Sequence, residues 1–370
     1  MFTFDRIRAY HVRFPMTKPF RISVGEIREK ECLLLECTAG GITGWGEAAV
    51  DAVPFYTAET VGSALDVSQR LFASLAKSQQ WKDPWELADA FAEYHGNYFA
   101  KAAFDTAFWD IYGKAQGKSV AEILGGTRKR VEVGGGSIGI HDDLGQLVDA
   151  VAEKLDSGIR RIKIKIGPGH DTECIKAVRA QFPDIALMVD ANNAYTPHDF
   201  DRIASWDDYE LLMLEQPLDE DDLYYHSLLC QRVETPICMD ESIKNLHLAD
   251  CAVKMGAMDI VNIKVGRVAG LSNAKRIHDY LQSYDIPVWI GSRLGTGIGV
   301  AMRVAAASLP NCTYPADIGF SAAYLPEEIT ETAFGLEDGC YFTVPYNTPG
   351  LGVEVIPKLL DKYLVAEYEL

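Results

Sequence analysis

Two textures of hydrophobic and polar positions divide the chain. Alternating apolar positions at Phe2–Phe14 and Cys32–Cys37 predict antiparallel strands around a loop at Thr17–Lys30. Apolar residues then recur at helical spacing near Glu59–Leu75, Trp85–Glu93 and Phe99–Ala115. Strands followed by helices predict an α+β unit over residues 1–125, with Gly125-Gly126 as its exit. From about Val131, short β-branched runs alternate with amphipathic segments. The runs are Val131–Ile140, Arg161–Ile166, Ile185–Val189, Tyr209–Leu214, Pro236–Met239, Met258–Ile263, Ile286–Ile290 and, most weakly, Cys312–Ala316. Eight strands alternating with helices predict an α/β fold, a (β/α)8-type barrel over residues 126–322, with a doubly wound open sheet as the alternative.

The ends of these runs separate the two. Lys165, Asp190, Glu215, Asp240 and Lys264 end successive runs at intervals of 25, 25, 25 and 24 residues. One β/α unit repeated with almost no insertion gives that step. It places all five at strand C-terminal ends, the face on which barrels carry their active sites. Asp190, Glu215 and Asp240 then lie on neighbouring strands, where uncompensated carboxylates raise one another's pKa. A divalent cation relieves that repulsion. An oxygen donor set without Cys or His favours a hard ion, Mg2+ before Mn2+, although any one of these acids could instead cap a helix.

Lys165 and Lys264 end strands two and six, so their amines face each other across the barrel mouth. A carboxylate substrate held between them offers its α-carbon to an amine on each face. Removing the α-proton leaves an enediolate, which a cation at the carboxylate stabilises. Lys163 points to the same side of its strand as Lys165, and its like charge is expected to bring the Lys165 pKa towards the working range.

Composition narrows the partners. With 35 Lys and Arg against 53 Asp and Glu, the net charge of −18 disfavours nucleic acid and anionic membranes. No stretch approaches the roughly 18 apolar residues of a membrane span, and the charged N-terminus does not read as a signal peptide. Eight scattered cysteines without a C-x-x-C pair read as reduced, mostly buried thiols of a cytoplasmic protein. Gly291, Gly295, Gly297 and Gly299 follow run seven rather than a first strand, which argues against a dinucleotide loop. They are expected to lead into a helix N-terminus that receives an anionic substrate group. Gly134–Gly136 is read as room for substrate or as close backbone packing. Trp109 and Phe108 are assigned to the core.

Five motifs carry a resemblance: K-x-K (Lys163 to Lys165), V-D-A-N (Val189 to Asn192), L-E-Q-P (Leu214 to Pro217), D-E-S (Asp240 to Ser242) and N-I-K-x-G-R (Asn262 to Arg267). In this order they resemble the muconate-lactonizing subgroup of the enolase superfamily, whose lysine base and Mg2+-stabilised ene-diolate are a known pattern. Ala100 to Asp110, Leu124 to Lys129, Ser137 to Ile140 and Thr348 to Val353 are similar to the N-succinylamino-acid racemase/o-succinylbenzoate synthase family within it.

The resemblance implies Lys165 and Lys264 as the acid/base pair and Asp190, Glu215 and Asp240 as Mg2+ ligands. It implies Lys163, Ser137 and Asn192 around the substrate, and Arg267 as modulator of the second lysine. Residues 1–125 become a capping domain to which 323–370 return. Its loops at Thr17–Lys30 and Glu47–Glu59 would close over the substrate, with Phe20, Arg21, Pro54 and Phe55 touching the substrate side chain. One segment departs: G-S-R-L-G-T-G (Gly291 to Gly297) stands where the family usually has G-G-M-L-E-T-G. Arg293 is therefore expected to face a more anionic or differently placed distal group; the alternative turns it outward or pairs it with Asp317. The implied activity is Mg2+-dependent racemisation of N-acylated amino acids by a homo-oligomer. Alternatives are dehydration to o-succinylbenzoate, dipeptide epimerisation (weakened by the lack of an acidic D-x-D pair) and a barrel that only binds.

Overall fold

Alternation along the first residues builds a four-stranded antiparallel sheet. β1 (Phe4–Ile22), β2 (Gly25–Ala39) and β3 (Ile42–Ala48) follow one another in it. Parity sorts their side chains. Leu33, Leu35 and Cys37 join one apolar cluster with the helix Tyr98–Gln116, while Cys32 and Leu34 join another that reaches the barrel. The structure, a computed structural model, describes all residues except 23–24, 55, 320, 322–323 and 332–333, and among 18–27 it describes no side chain. The predicted loop at Thr17–Lys30 is a correction: the backbone stays paired through Phe20–Ile27 and Ile22–Gly25. Main-chain pairing needs no side-chain alternation, so the sequence pattern stops before the strands do.

β3 lies on the helix Tyr98–Gln116 at a separation only glycine permits. A Cβ on Gly46 would sit 1.8 Å from Ala103 O, and one on Gly44 would sit 2.3 Å from Ala107 O. Asp110 on the same helix is fully buried. It accepts from Trp45 N in β3 at 3.1 Å, from Leu351 N at 2.8 Å and from Lys114 Nζ at 3.0 Å. One carboxylate thus ties sheet, helix and C-terminal segment together.

The later runs become β4 (Arg130–Glu132), β5 (Ser137–Ile138), β6 (Arg161–Lys165), β7 (Ala186–Asp190), β8 (Leu214–Glu215), β9 (Ile237–Met239), β10 (Ile260–Ile263) and β11 (Val288–Ile290). β5 to β11 form one parallel sheet in chain order. The weak eighth run completes the (β/α)8-type ring through isolated bridges, Val288 to Cys312 on one side and Val133 to Ala316 on the other. β4 pairs instead with β12 (Tyr341–Thr343), and β13 (Leu364–Glu369) returns to the edge of the first sheet beside β1. Met188, Met213, Cys238, Ile260 and Trp289 pack together as a small cluster on the barrel strands. Phe108 and Trp109 are core, and all eight cysteines are free thiols, six of them buried. Among the described residues, no helix is long and apolar enough to cross a membrane.

Candidate active site

Strand register brings the acids to one end of the ring. Lys165 lies opposite Asp190, Asp190 lies opposite Glu215, and Asp240 directly follows β9. All three carboxylates are buried. Buried charge demands compensation, and four cations supply it. Lys163 Nζ is 2.9 Å from Glu215 Oε2, 3.3 Å from Asp190 Oδ2 and 2.5 Å from Asp317 Oδ2. Lys165 Nζ donates to Asp190 Oδ2 at 2.6 Å and to Asn192 Oδ1 at 2.5 Å. Lys264 Nζ donates to Asp240 Oδ2 at 2.5 Å, and Arg267 pairs with the other oxygen of Asp240. Asn262 Nδ2 donates to Glu215 Oε1 at 2.7 Å.

The protonation preferences follow from this crowding. Burial drives Glu215 up to about 8, Asp190 adds to the rise, and Lys163 only partly opposes it. Burial alone would also raise Asp240, but Arg267 and Lys264 hold it well below the usual carboxylate range. For Asp190, Lys165 and Lys163 likewise outweigh burial. Burial would lower Lys163, yet Asp317, Glu215 and Asp190 together hold it well above its ordinary value. Lys163 is therefore a fixed cation at the floor of the site. The expectation that it acts on Lys165 through like charge left out the three acids that pair with it.

Below that floor, Arg161 pairs with Asp317 at 2.6 Å, and its guanidinium lies 5.2 Å from the Trp289 ring centroid, with Lys163 Nζ at 5.0 Å. Gly134 is explained by this layer: a Cβ there would meet the Arg161 guanidinium at 2.4 Å. The glycine serves close packing and does not make room for substrate.

Backbone strain sits where the strands end. Asn192, Asn193 and Gln216 take φ of 43°, 65° and 38°, in the left-handed region just past Asp190 and Glu215. Those turns aim polar groups sideways along the rim. Asn192 Nδ2 donates to Glu241 Oε1 at 2.9 Å, and Gln216 Oε1 accepts from Asp240 N at 2.9 Å and Ser242 N at 3.2 Å. Ser137 opens β5 opposite Lys163.

The acidic trio has the donor chemistry of a hard-cation site: oxygen only, buried and anionic enough to push Glu215 upward. The oxygens are turned towards lysine and arginine rather than towards one point. Among the described residues, no three His, Cys, Asp or Glu side chains are gathered so as to hold a metal ion. A cation held here would take over oxygens that the ammonium groups now occupy.

Several expectations change at the cap side. Phe20 and Arg21 lie on β1 by their backbone, opposite Ile27 and Glu26, but their side chains, and all of Phe55, lie outside the described residues. Pro54 is exposed. Arg293 turns neither outward nor to Asp317, which Arg161 and Lys163 already engage. It pairs with Asp51 from the cap. That carboxylate, shared with buried Lys30, engages the guanidinium which the sequence assigned to a distal substrate group.

The helix Gly297–Ala307 likewise does not await a substrate anion. Glu47 Oε2 accepts from Thr296 N at 3.0 Å and Gly299 N at 3.2 Å, and Glu328 Oε1 accepts from Gly297 N at 3.0 Å. The protein's own acids fill the first turn. Gly295 is part of that arrangement, because a Cβ there would meet Glu47 Oε1 at 2.0 Å.

Residues 146–359 match the family described as Enolase C-terminal domain-like, and residues 6–125 match Mandelate racemase / muconate lactonizing enzyme, N-terminal domain. The chain belongs to the enolase superfamily. An o-succinylbenzoate synthase of Bacillus subtilis (strain 168) is 40% identical over 98% of this chain and 97% of its own length. An N-succinylamino acid racemase of Amycolatopsis sp is 42% identical over 96% of each chain. A crystal structure of an enolase-superfamily member from Listeria innocua Clip11262 superposes with a TM-score of 0.96 at 34% identity, covering 100% of this chain and 99% of that one. The protein is thus an enolase-superfamily enzyme, and its barrel-and-cap architecture is that of the superfamily.

Sequence reasoning gave no role to two residues of this enzyme's site and a different partner to a third, Asp317. Asp317 follows the weakest run, where the 25-residue step is lost. Glu241 lay inside the D-E-S motif without a role of its own. Tyr56 follows the flagged Phe55, yet it is the tyrosine whose hydroxyl meets both Lys264 and Glu241.

Proposed function

We propose that this enzyme removes the proton α to the carboxylate of an N-acylated amino acid, N-succinylated first, and returns a proton to the opposite face. The carrying observation is the ring position of the two lysines. Lys165 ends β6 and Lys264 follows β10, four strands away, each amine against a different acid of the buried trio. One amine accepts the proton as the C–H bond breaks, and the other amine supplies a proton to the second face. Lys163, pinned between Asp317 and Glu215, is a fixed positive charge for the substrate carboxylate. Asp190, Glu215 and Asp240 would hold Mg2+, or Mn2+ in its place, which when bound supplies positive charge opposite the electron density that builds up as the proton leaves. The cap excludes water from the reacting carbon.

The names of the Amycolatopsis and Bacillus relatives support small carboxylate substrates. They also support a second reading, dehydration to o-succinylbenzoate. That reaction begins with the same proton removal but needs only one lysine as base. The test is incubation of each enantiomer of several N-succinyl and N-acetyl amino acids with enzyme and Mg2+ in D2O, followed by NMR. Exchange of the α-proton with loss of optical rotation is expected for the N-succinyl compounds. No exchange from any of them would overturn the proposal.

A further inference from the structure

Tyr56 reaches one of the two lysines from the cap. Its hydroxyl accepts from Lys264 Nζ at 2.6 Å and donates to Glu241 Oε1 at 2.7 Å. Its ring centroid is 5.0 Å from Lys264 Nζ and 4.4 Å from the Arg293 guanidinium carbon. Arg293 is in turn paired with Asp51, which buried Lys30 also holds at 2.7 Å while donating to Val50 O at 2.7 Å. A single barrel side chain therefore grips the cap loop at two points, the carboxylate of residue 51 and the ring of residue 56. The Lys165 side chain is as buried as that of Lys264, 10% against 11% exposed. Its amine bonds to Asp190 and Asn192, both from the barrel, and among the described residues no cap side chain reaches it.

An amine takes a proton from carbon only when the two atoms approach to about 3–3.5 Å in line. Asp240 from the barrel and the Tyr56 hydroxyl from the cap both engage the Lys264 amine. Bringing the α-carbon to Lys264 displaces that hydroxyl, and with it the stack on Arg293. Resting on the function proposed above, we infer that Arg293, acting through Tyr56, restrains Lys264 and biases proton transfer towards the Lys165 face. Tyr56 and Arg293 are positioning residues. They set the balance between one-lysine chemistry, sufficient for dehydration, and two-lysine chemistry, which racemisation requires. The segment in which this chain departs from its family, Gly291 to Gly297, is the one that supplies the restraint. In the step concerned the C–H bond breaks, its proton moves to the Lys264 amine and the electron pair remains with the substrate carboxylate; no further reactant enters.

The experiment compares α-proton exchange of the two enantiomers of N-succinylphenylalanine in D2O with Mg2+, for the wild type and for Tyr56→Phe, Arg293→Met and Arg293→Lys. The wild type is expected to exchange one enantiomer faster. Tyr56→Phe and Arg293→Met should raise the slower exchange about 3- to 10-fold, the worth of one net hydrogen bond, and leave the faster one nearly unchanged. Arg293→Lys, which keeps a cation for Asp51, should fall closer to the wild type. A ratio unchanged in Tyr56→Phe and Arg293→Met, or both enantiomers slowed alike, overturns this inference while leaving the proposed function standing. Wild-type exchange of neither enantiomer overturns both.

Discussion

Asp105 shows how a single carboxyl can set pH behaviour far from Lys165 and Lys264. It is buried on the helix Tyr98–Gln116, where burial pushes it up to about 7 against hydrogen bonds from Ser272 Oγ and Ser272 N. Its unfolded value is near 3.9. A carboxyl whose pKa is raised on folding stabilises most below the unfolded pKa and loses that contribution as pH rises through the folded one. Between pH 5 and 7.5 the wild type should therefore lose about 2.5 kcal/mol relative to Asp105→Asn, read from urea midpoints at the two pH values. Parallel pH dependences of the two proteins would contradict this. At the same scale, the five residues spaced one repeat apart were legible because each ends a strand whose pattern is regular. Tyr56, Asp51 and Asp317 were not, because their roles arise from contacts between segments far apart in sequence, which no local pattern records.

At the scale of elements, β3 on the helix Tyr98–Gln116 is the tightest contact of the cap. Gly46→Ala drives a methyl into Ala103 O, for which overpacking costs about 1–3 kcal/mol or more. The expected outcome is a lower urea midpoint for the variant. Gly62→Ala, whose new Cβ would have Thr60 Oγ1 at 3.7 Å as its nearest neighbour, should stay within about 0.5 kcal/mol of the wild type. Equal midpoints for the two variants would refute the packing argument. The same elements show what periodicity can reveal. Three of the cap's helical stretches were read within a few residues because each buries an apolar face. The long β1–β2 hairpin was cut short because backbone pairing continues where alternation stops. The eighth barrel position, held only by isolated bridges, gave the faintest run.

Across the whole molecule, the barrel supplies the lysines and acids while the cap supplies Tyr56, Asp51 and Glu47, each bonded to a barrel residue at the mouth. The architecture could be read from strand count and register, but the seam between the domains could not. It joins β3 and the loop after it to segments beyond β10 and β11, more than 200 residues away. In the function proposed here the seam bears on which lysine a substrate reaches, so the central claim of two amines on opposite faces is a claim about the assembled whole. The most direct measurement is solvent deuterium exchange for both enantiomers of one N-succinyl amino acid with Lys165→Ala and Lys264→Ala. Each variant should lose racemisation completely while retaining exchange of one enantiomer only, the opposite enantiomer for each variant. Racemisation surviving in either variant, or exchange of the same enantiomer in both, would contradict the account.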